Sequence, residues 1–126
     1  MQYYLKVTEE MGRGLYSAYD LQANKILFTA ELLVLNEKDT KLVNQTDLKW
    51  YVFKYNDDQD CLVLGDGEIF NHDDNPNIGY QLVNHDGRKL MMFYTLKDIK
   101  SGDQLMIDYE SDTKVVASDY KVNLIG

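Results

Sequence analysis

The segment Gly67-Glu68-Ile69-Phe70-Asn71-His72-Asp73-Asp74-Asn75-Pro76-Asn77 constrains the fold more than any other stretch of this chain. It follows a short apolar run, holds the only proline, and places five polar side chains and a histidine within seven residues. A loop lying wholly in solvent has no use for Ile69 and Phe70 at its head. A core strand would not tolerate Asn-His-Asp-Asp. The segment therefore reads as a polar loop anchored in a core, where binding and catalytic groups tend to sit.

Around it, apolar and aromatic residues come in short clusters punctuated by Gly, Asn and Asp, a strand-and-turn rhythm. It predicts strands over Tyr3 to Val7, Leu15 to Tyr19, Ile26 to Leu35, Trp50 to Tyr55, Cys61 to Leu64, Ile78 to Val83, Lys89 to Leu96 and Gln104 to Asp108. Asp86-Gly87 is a two-residue hairpin signal, so the strands on either side should pair antiparallel. The most helix-like segments are Thr40 to Lys49 and a turn around Glu68 to Phe70. The stretches Asp20 to Phe28 and Asp98 to Met106 echo one another: an acid, an aliphatic residue, a tight turn, then a strand.

At 126 residues the chain suits one domain with a sizeable core. No apolar run approaches a membrane span, and the N-terminus lacks the basic-then-apolar pattern of a signal peptide. The lone Cys61 excludes an internal disulfide and a multi-cysteine zinc cluster, and reads as a buried thiol in a reduced, cytoplasmic protein. A net charge of −8 argues against direct nucleic-acid binding, which needs clustered Lys and Arg. It suits a basic partner, though solubility alone would also account for it.

Gly12-Arg13-Gly14 stands before a strand, where paired glycines allow positive φ and close approach of a ligand to the main chain. With no third glycine and no following helix, it is not a phosphate-binding fingerprint. Asn71 and His72 offer an amide and an imidazole at one place, while Asp73, Asp74, Asn75 and Asn77 do not follow a calcium-loop spacing. Leu105 to Glu110 ends a strand in Asp108-Tyr109. No nucleophile elbow, Ser/His/Asp or Cys/His arrangement, or zinc spacing is visible, so no metal is expected.

In order, Gly12-Arg13-Gly14-Leu15-Tyr16, Phe70-Asn71-His72-Asp73-Asp74-Asn75-Pro76-Asn77 and Asp98 through Asp108-Tyr109 resemble the SET domain, the lysine methyltransferase fold. The resemblance covers roughly residues 4 to 110. It implies a mainly β, β-clip-like fold of several small antiparallel sheets with a C-terminal pseudoknot and little helix. Residues 1–110 would form the SET domain and 111–126 a short tail.

The resemblance implies S-adenosylmethionine as cofactor and methyl transfer to a lysine of a basic protein or peptide, a histone-like tail among them. Gly12, Arg13 and Gly14 would hold the methionine part, Asn71 its amino-acid end, and His72 the adenine through its main chain. Tyr109 matches the catalytic tyrosine. Tyr80 and Tyr51 would line the lysine channel, with Ile107 at the position where many members carry Phe or Tyr. The tyrosine is expected to position the amine and not to act as a strong base, since a phenol titrates near ~10.

Two departures stand out. Asp73-Asp74 replace the family's usual Ser-Cys, and no cysteine-rich segment follows Tyr109. The channel would then be completed by the tail, with Tyr120 its obvious aromatic, or by the second subunit of a homodimer. These departures also fit a catalytically silent SET-fold module that binds a peptide without modifying it. The minimal, domain-only chain suggests a viral or bacterial origin, and the expected location is the cytoplasm, or a host nucleus if the protein is viral or an exported effector.

Overall fold

Strands form where the sequence clusters its apolar residues. The computed structural model describes residues 1–110 and the backbone of Val115–Val116. Strands β1 (Tyr3–Thr8), β2 (Gly12–Ser17) and β3 (Ile26–Val34) precede a short helix, α1 (Glu37–Val43). Then come β4 (Phe53–Lys54), β5 (Asp60–Val63), β6 (Asn71–His72), β7 (Ile78–His85), β8 (Arg88–Thr95), β9 (Gln104–Ile107) and β10 (Val115–Val116). One sheet has the order β1-β2-β9-β6, the other β10-β7-β8-β3-β5-β4. The architecture is mainly β with little helix, as the motif order implied. Among the described residues no helix is long and apolar enough to cross a membrane.

Asp86 and Gly87 both take positive φ, 49° and 75°, and β7 and β8 pair antiparallel up to His85 opposite Arg88. This is the turn whose backbone twist matches that of the flanking strands. The two echoing segments face each other: Leu21 and Ile99 exchange backbone hydrogen bonds at 2.8 Å each. The Asp98 carboxylate accepts from Ala23 N, and the Asp20 carboxylate accepts from Ser101 N.

Three local expectations shift. The helix starts earlier than Thr40 because the Asn36 side chain accepts from Asp39 N at 2.7 Å and caps it there. Thr46 then caps a separate 3-10 turn, Asp47–Trp50, so Trp50 and Tyr51 lie outside the strand predicted for them. Asn71–His72, expected as loop, forms a two-residue strand parallel to Met106–Ile107. Tyr120 and the expected closure of the channel by the tail lie outside the described residues, where only the parallel pairing of β10 with β7 is given.

The core explains how the polar segment is anchored. Phe70 is buried among Phe28, at 5.9 Å and nearly parallel, and Phe93, at 4.9 Å. Leu15, Ile78, Met91, Phe93 and Leu105 are completely buried around them. An aromatic cluster of this kind is rigid as well as apolar. It therefore fixes where the neighbours of Phe70, namely Asn71 and His72, emerge.

Candidate active site

Asn71 leaves the core beside the glycine pair. Its Nδ2 donates to Arg13 O at 2.9 Å and to Gln104 Oε1 at 2.7 Å. A Cβ added to Gly14 would stand 2.6 Å from Gln104 Oε1 and 3.1 Å from Asn71 Nδ2, so only glycine leaves room for this pairing. Gly12 is required for a different reason, its φ of +66°. Arg13 contributes its carbonyl, and its side chain is exposed. Among the described residues nothing donates to Asn71 Oδ1, which leaves an acceptor suited to an ammonium group.

Asn77 closes the motif by pinning β9. Its amide donates to Gln104 O and accepts from Met106 N, both at 2.9 Å, as a strand partner would. That sets the position of Tyr109 just beyond β9. Tyr109 N donates to His72 Nδ1 at 2.9 Å, and Tyr109 Oη donates to Phe70 O at 2.6 Å. Because Nδ1 accepts, the proton of a neutral imidazole sits on Nε2, which faces Asp74 Oδ1 at 2.7 Å. The imidazole of His72 thus orients Tyr109, and Asp74 orients the imidazole. The main chain of His72, for which the resemblance implied an adenine contact, is held beside Ile107 by the parallel pairing.

A pocket of about 300 Å³ opens beside these groups, lined in part by Trp50, Tyr51, Phe53, Phe70, Tyr80 and Tyr109. The three tyrosines singled out from the sequence therefore meet, although they come from the end of a 3-10 turn, from β7 and from the residues after β9. Tyr80 donates to Asp108 O at 2.8 Å and meets Phe53 edge-on at 5.3 Å. Burial, reinforced by the nearby Asp108 charge, pushes its phenol up to about 12. Burial also raises the Tyr109 phenol. Both hydroxyls stay protonated at neutral pH.

Ile107 is not among the residues lining this pocket. It is 1% exposed and packs in the core with Leu105, two positions earlier on the same face of β9. Cys61 is fully buried, and its thiol is pushed up to about 12 by burial, then by the Asp60 and Glu68 charges, which makes it a poor nucleophile.

Glu68 also lines the pocket, and the sequence reading assigned it no role. Burial raises its carboxyl to about 7 against the lowering effect of the Val63 N–H, which donates to its Oε1 at 2.7 Å. His72, Asp74 and Asp108 are the described groups that could approach a metal, their ligand atoms lying within 4.8 Å of one another. Both imidazole nitrogens are already engaged, with Tyr109 N and with Asp74.

Paired glycines, an amide bonded beside them and a tyrosine-walled pocket thus lie together on a β scaffold. The family model described as "SET domain" matches residues 12–110, and the chain belongs to that family. It is 28% identical over 106 residues to a Schizosaccharomyces pombe protein named histone-lysine N-methyltransferase, H3 lysine-37 specific, covering 83% of this chain and 71% of that one. It is 29% identical over 117 residues to the Drosophila virilis histone-lysine N-methyltransferase trithorax, covering 85% of this chain but only 3% of that much longer protein. Among solved structures, a Plasmodium falciparum protein aligns with a TM-score of 0.70 at 21% identity, covering 88% of this chain and 95% of the other. CpSET8 from Cryptosporidium aligns with a TM-score of 0.71 at 21% identity, covering 90% of this chain and 59% of the other. At such identities the structural likeness speaks for the fold alone.

Proposed function

We propose that this chain is an S-adenosylmethionine-dependent protein-lysine N-methyltransferase acting on a basic protein, with a histone tail the first substrate to try. The observation that carries this reading is the convergence of Tyr51, Tyr80 and Tyr109 on one pocket, with Phe70 in its wall and Asn71, the next residue, bonded to the glycine strand. Family membership and the names of the relatives support it, and the charge of −8 suits a lysine-rich substrate.

The residues around the glycine pair fit the cofactor: Gly12 is exposed with nothing within 4 Å of where a Cβ would stand, and Asn71 Oδ1 can accept from the α-ammonium of its methionine part. When bound, S-adenosylmethionine supplies an electrophilic methyl group on a sulfonium, transferred by in-line displacement. Alignment is then the main task of the protein. Tyr109 donates its hydroxyl hydrogen bond to the Phe70 carbonyl, so its oxygen can accept from an incoming amine and turn the nitrogen lone pair toward the methyl. A lysine stem lying against these aromatic walls is partly desolvated, which favours the neutral amine over the ammonium.

The test is incubation of purified protein with radiolabelled methyl donor, core histones and a panel of basic peptides. Transfer to a lysine is expected, falling about 10²-fold for Tyr109→Phe. No transfer to any substrate, together with no cofactor binding by calorimetry, would refute the reading in favour of a silent peptide-binding module.

A further inference from the structure

The Val63 N–H needs an acceptor because β4 pairs only with Asp60 and Cys61 and stops short of it. Glu68 meets that need with one oxygen. An amide would serve equally well there, so the backbone bond explains the oxygen but not the negative charge.

The charge has no counter-ion among the described residues. Lys49 and Lys54 line the same pocket, yet Lys49 lies over the Trp50 ring at 4.9 Å and Lys54 approaches Asp57 at 3.6 Å. Neither makes a described ion pair with Glu68. The other described ionisable groups near it are Cys61 on β5, whose thiol feels the Glu68 charge, Asp66 two residues earlier in the same turn, and Tyr80 and Tyr109, which line the same pocket. All are acidic, and Asp66 accepts from Tyr3 Oη at 2.8 Å. A half-buried carboxylate with no cation paired to it among the described residues, in an aromatic pocket of about 300 Å³, is set up to receive a cation from outside.

We propose that Glu68 receives the substrate lysine, pairing with its ammonium and accepting one of its protons before methyl transfer. This rests on the methyltransferase reading of the pocket. An N–H bond of the ammonium breaks, an O–H bond forms on the carboxylate, and the electron pair stays on nitrogen as the nucleophile. The carboxyl then returns the proton to water at the pocket mouth. The raised carboxyl suits this step, because a base near the working pH is a better proton acceptor than an ordinary surface glutamate. The step also removes the largest obstacle to the reaction, since a free lysine titrates near ~10.4.

Glu68→Gln separates the two roles, because its amide oxygen can still accept from Val63 N. In the methyl-transfer assay, kcat/KM of the variant should fall about 10²-fold at pH 7. The deficit should shrink as pH rises toward ~10 and the substrate amine loses its proton unaided. A variant profile parallel to that of the unaltered protein, lowered or not, would overturn the assignment. A second measurement needs no turnover: carbon-13 titration of the Glu68 carboxyl in butylammonium chloride against sodium chloride of equal ionic strength. The midpoint should drop by roughly half a unit or more in the amine. An unmoved midpoint would overturn the proposal. If no methyl is transferred but the midpoint moves, the methyltransferase reading fails while the lysine-receiving role of Glu68 stands.

Discussion

Replacing either of two glycines by alanine should have opposite consequences, for reasons that can be read from their surroundings. At Gly67 a Cβ would lie 2.5 Å from Val63 Cγ1 and 2.9 Å from Phe93 Cε2. Carbon atoms rest at about 3.5–4.0 Å, so both contacts are roughly an ångström too short. Val63 and Phe93 are 1% and 0% exposed and have nowhere to go. Overpacking of this kind costs about 1–3 kcal/mol, and two confined neighbours place Gly67→Ala at about 3. At Gly14 the closest atom is the mobile tip of Gln104, which can swing away at the loss of its bond to Asn71. That loss, about 1 kcal/mol, is largely offset by the stiffer unfolded chain that alanine brings. Gly14→Ala should therefore fold with almost unchanged stability yet bind S-adenosylmethionine at least about tenfold more weakly, about 1.4 kcal/mol, because Asn71 loses its brace. Urea denaturation and calorimetry measure the two quantities. A cost below about 1 kcal/mol at Gly67 would refute the packing argument. Unchanged cofactor affinity at Gly14 would refute the cradle.

Two further outcomes are expected. The Glu68 carboxyl is raised from 4.5 to about 7, so the folded protein holds that proton more tightly than the unfolded chain does. Its contribution is fully present below pH 4.5 and is lost as pH rises to about 7. The loss is on the order of 1–2 kcal/mol once solvent screening is allowed for. Thermal melts of Glu68→Gln against the unaltered protein across that range should show the slope disappear, and an identical pH dependence would contradict it. Asp74→Ala removes the acceptor for His72 Nε2 at an exposed site. Stability should change by less than about 0.5 kcal/mol. The kcat should fall several-fold with KM little changed, and a kcat equal to that of the unaltered protein would show that Asp74 does not position Tyr109.

Much of this molecule was legible locally. Asp86-Gly87 announces its hairpin because both residues tolerate positive φ, and Ile69-Phe70 announce the anchoring of the polar segment because an aromatic pair belongs in a core. The alternation of Leu105 and Ile107 was a signal that Ile107 faces the core, although the resemblance placed it in the channel. The onset of α1 was also available, in the capping side chain of Asn36.

The sequence by itself determined the strand rhythm, the β class, the family motifs and which tyrosines to watch, since each depends on residue type and short spacing. Only the tertiary structure decided that Asn71–His72 would be a strand, that Tyr51, Tyr80 and Tyr109 would wall one pocket, and that the imidazole of His72 would hold Tyr109. It also decided that Glu68 would be a raised carboxyl and not a surface charge. These features arise from groups far apart in the chain, and burial and hydrogen bonding exist only once the core has brought them together.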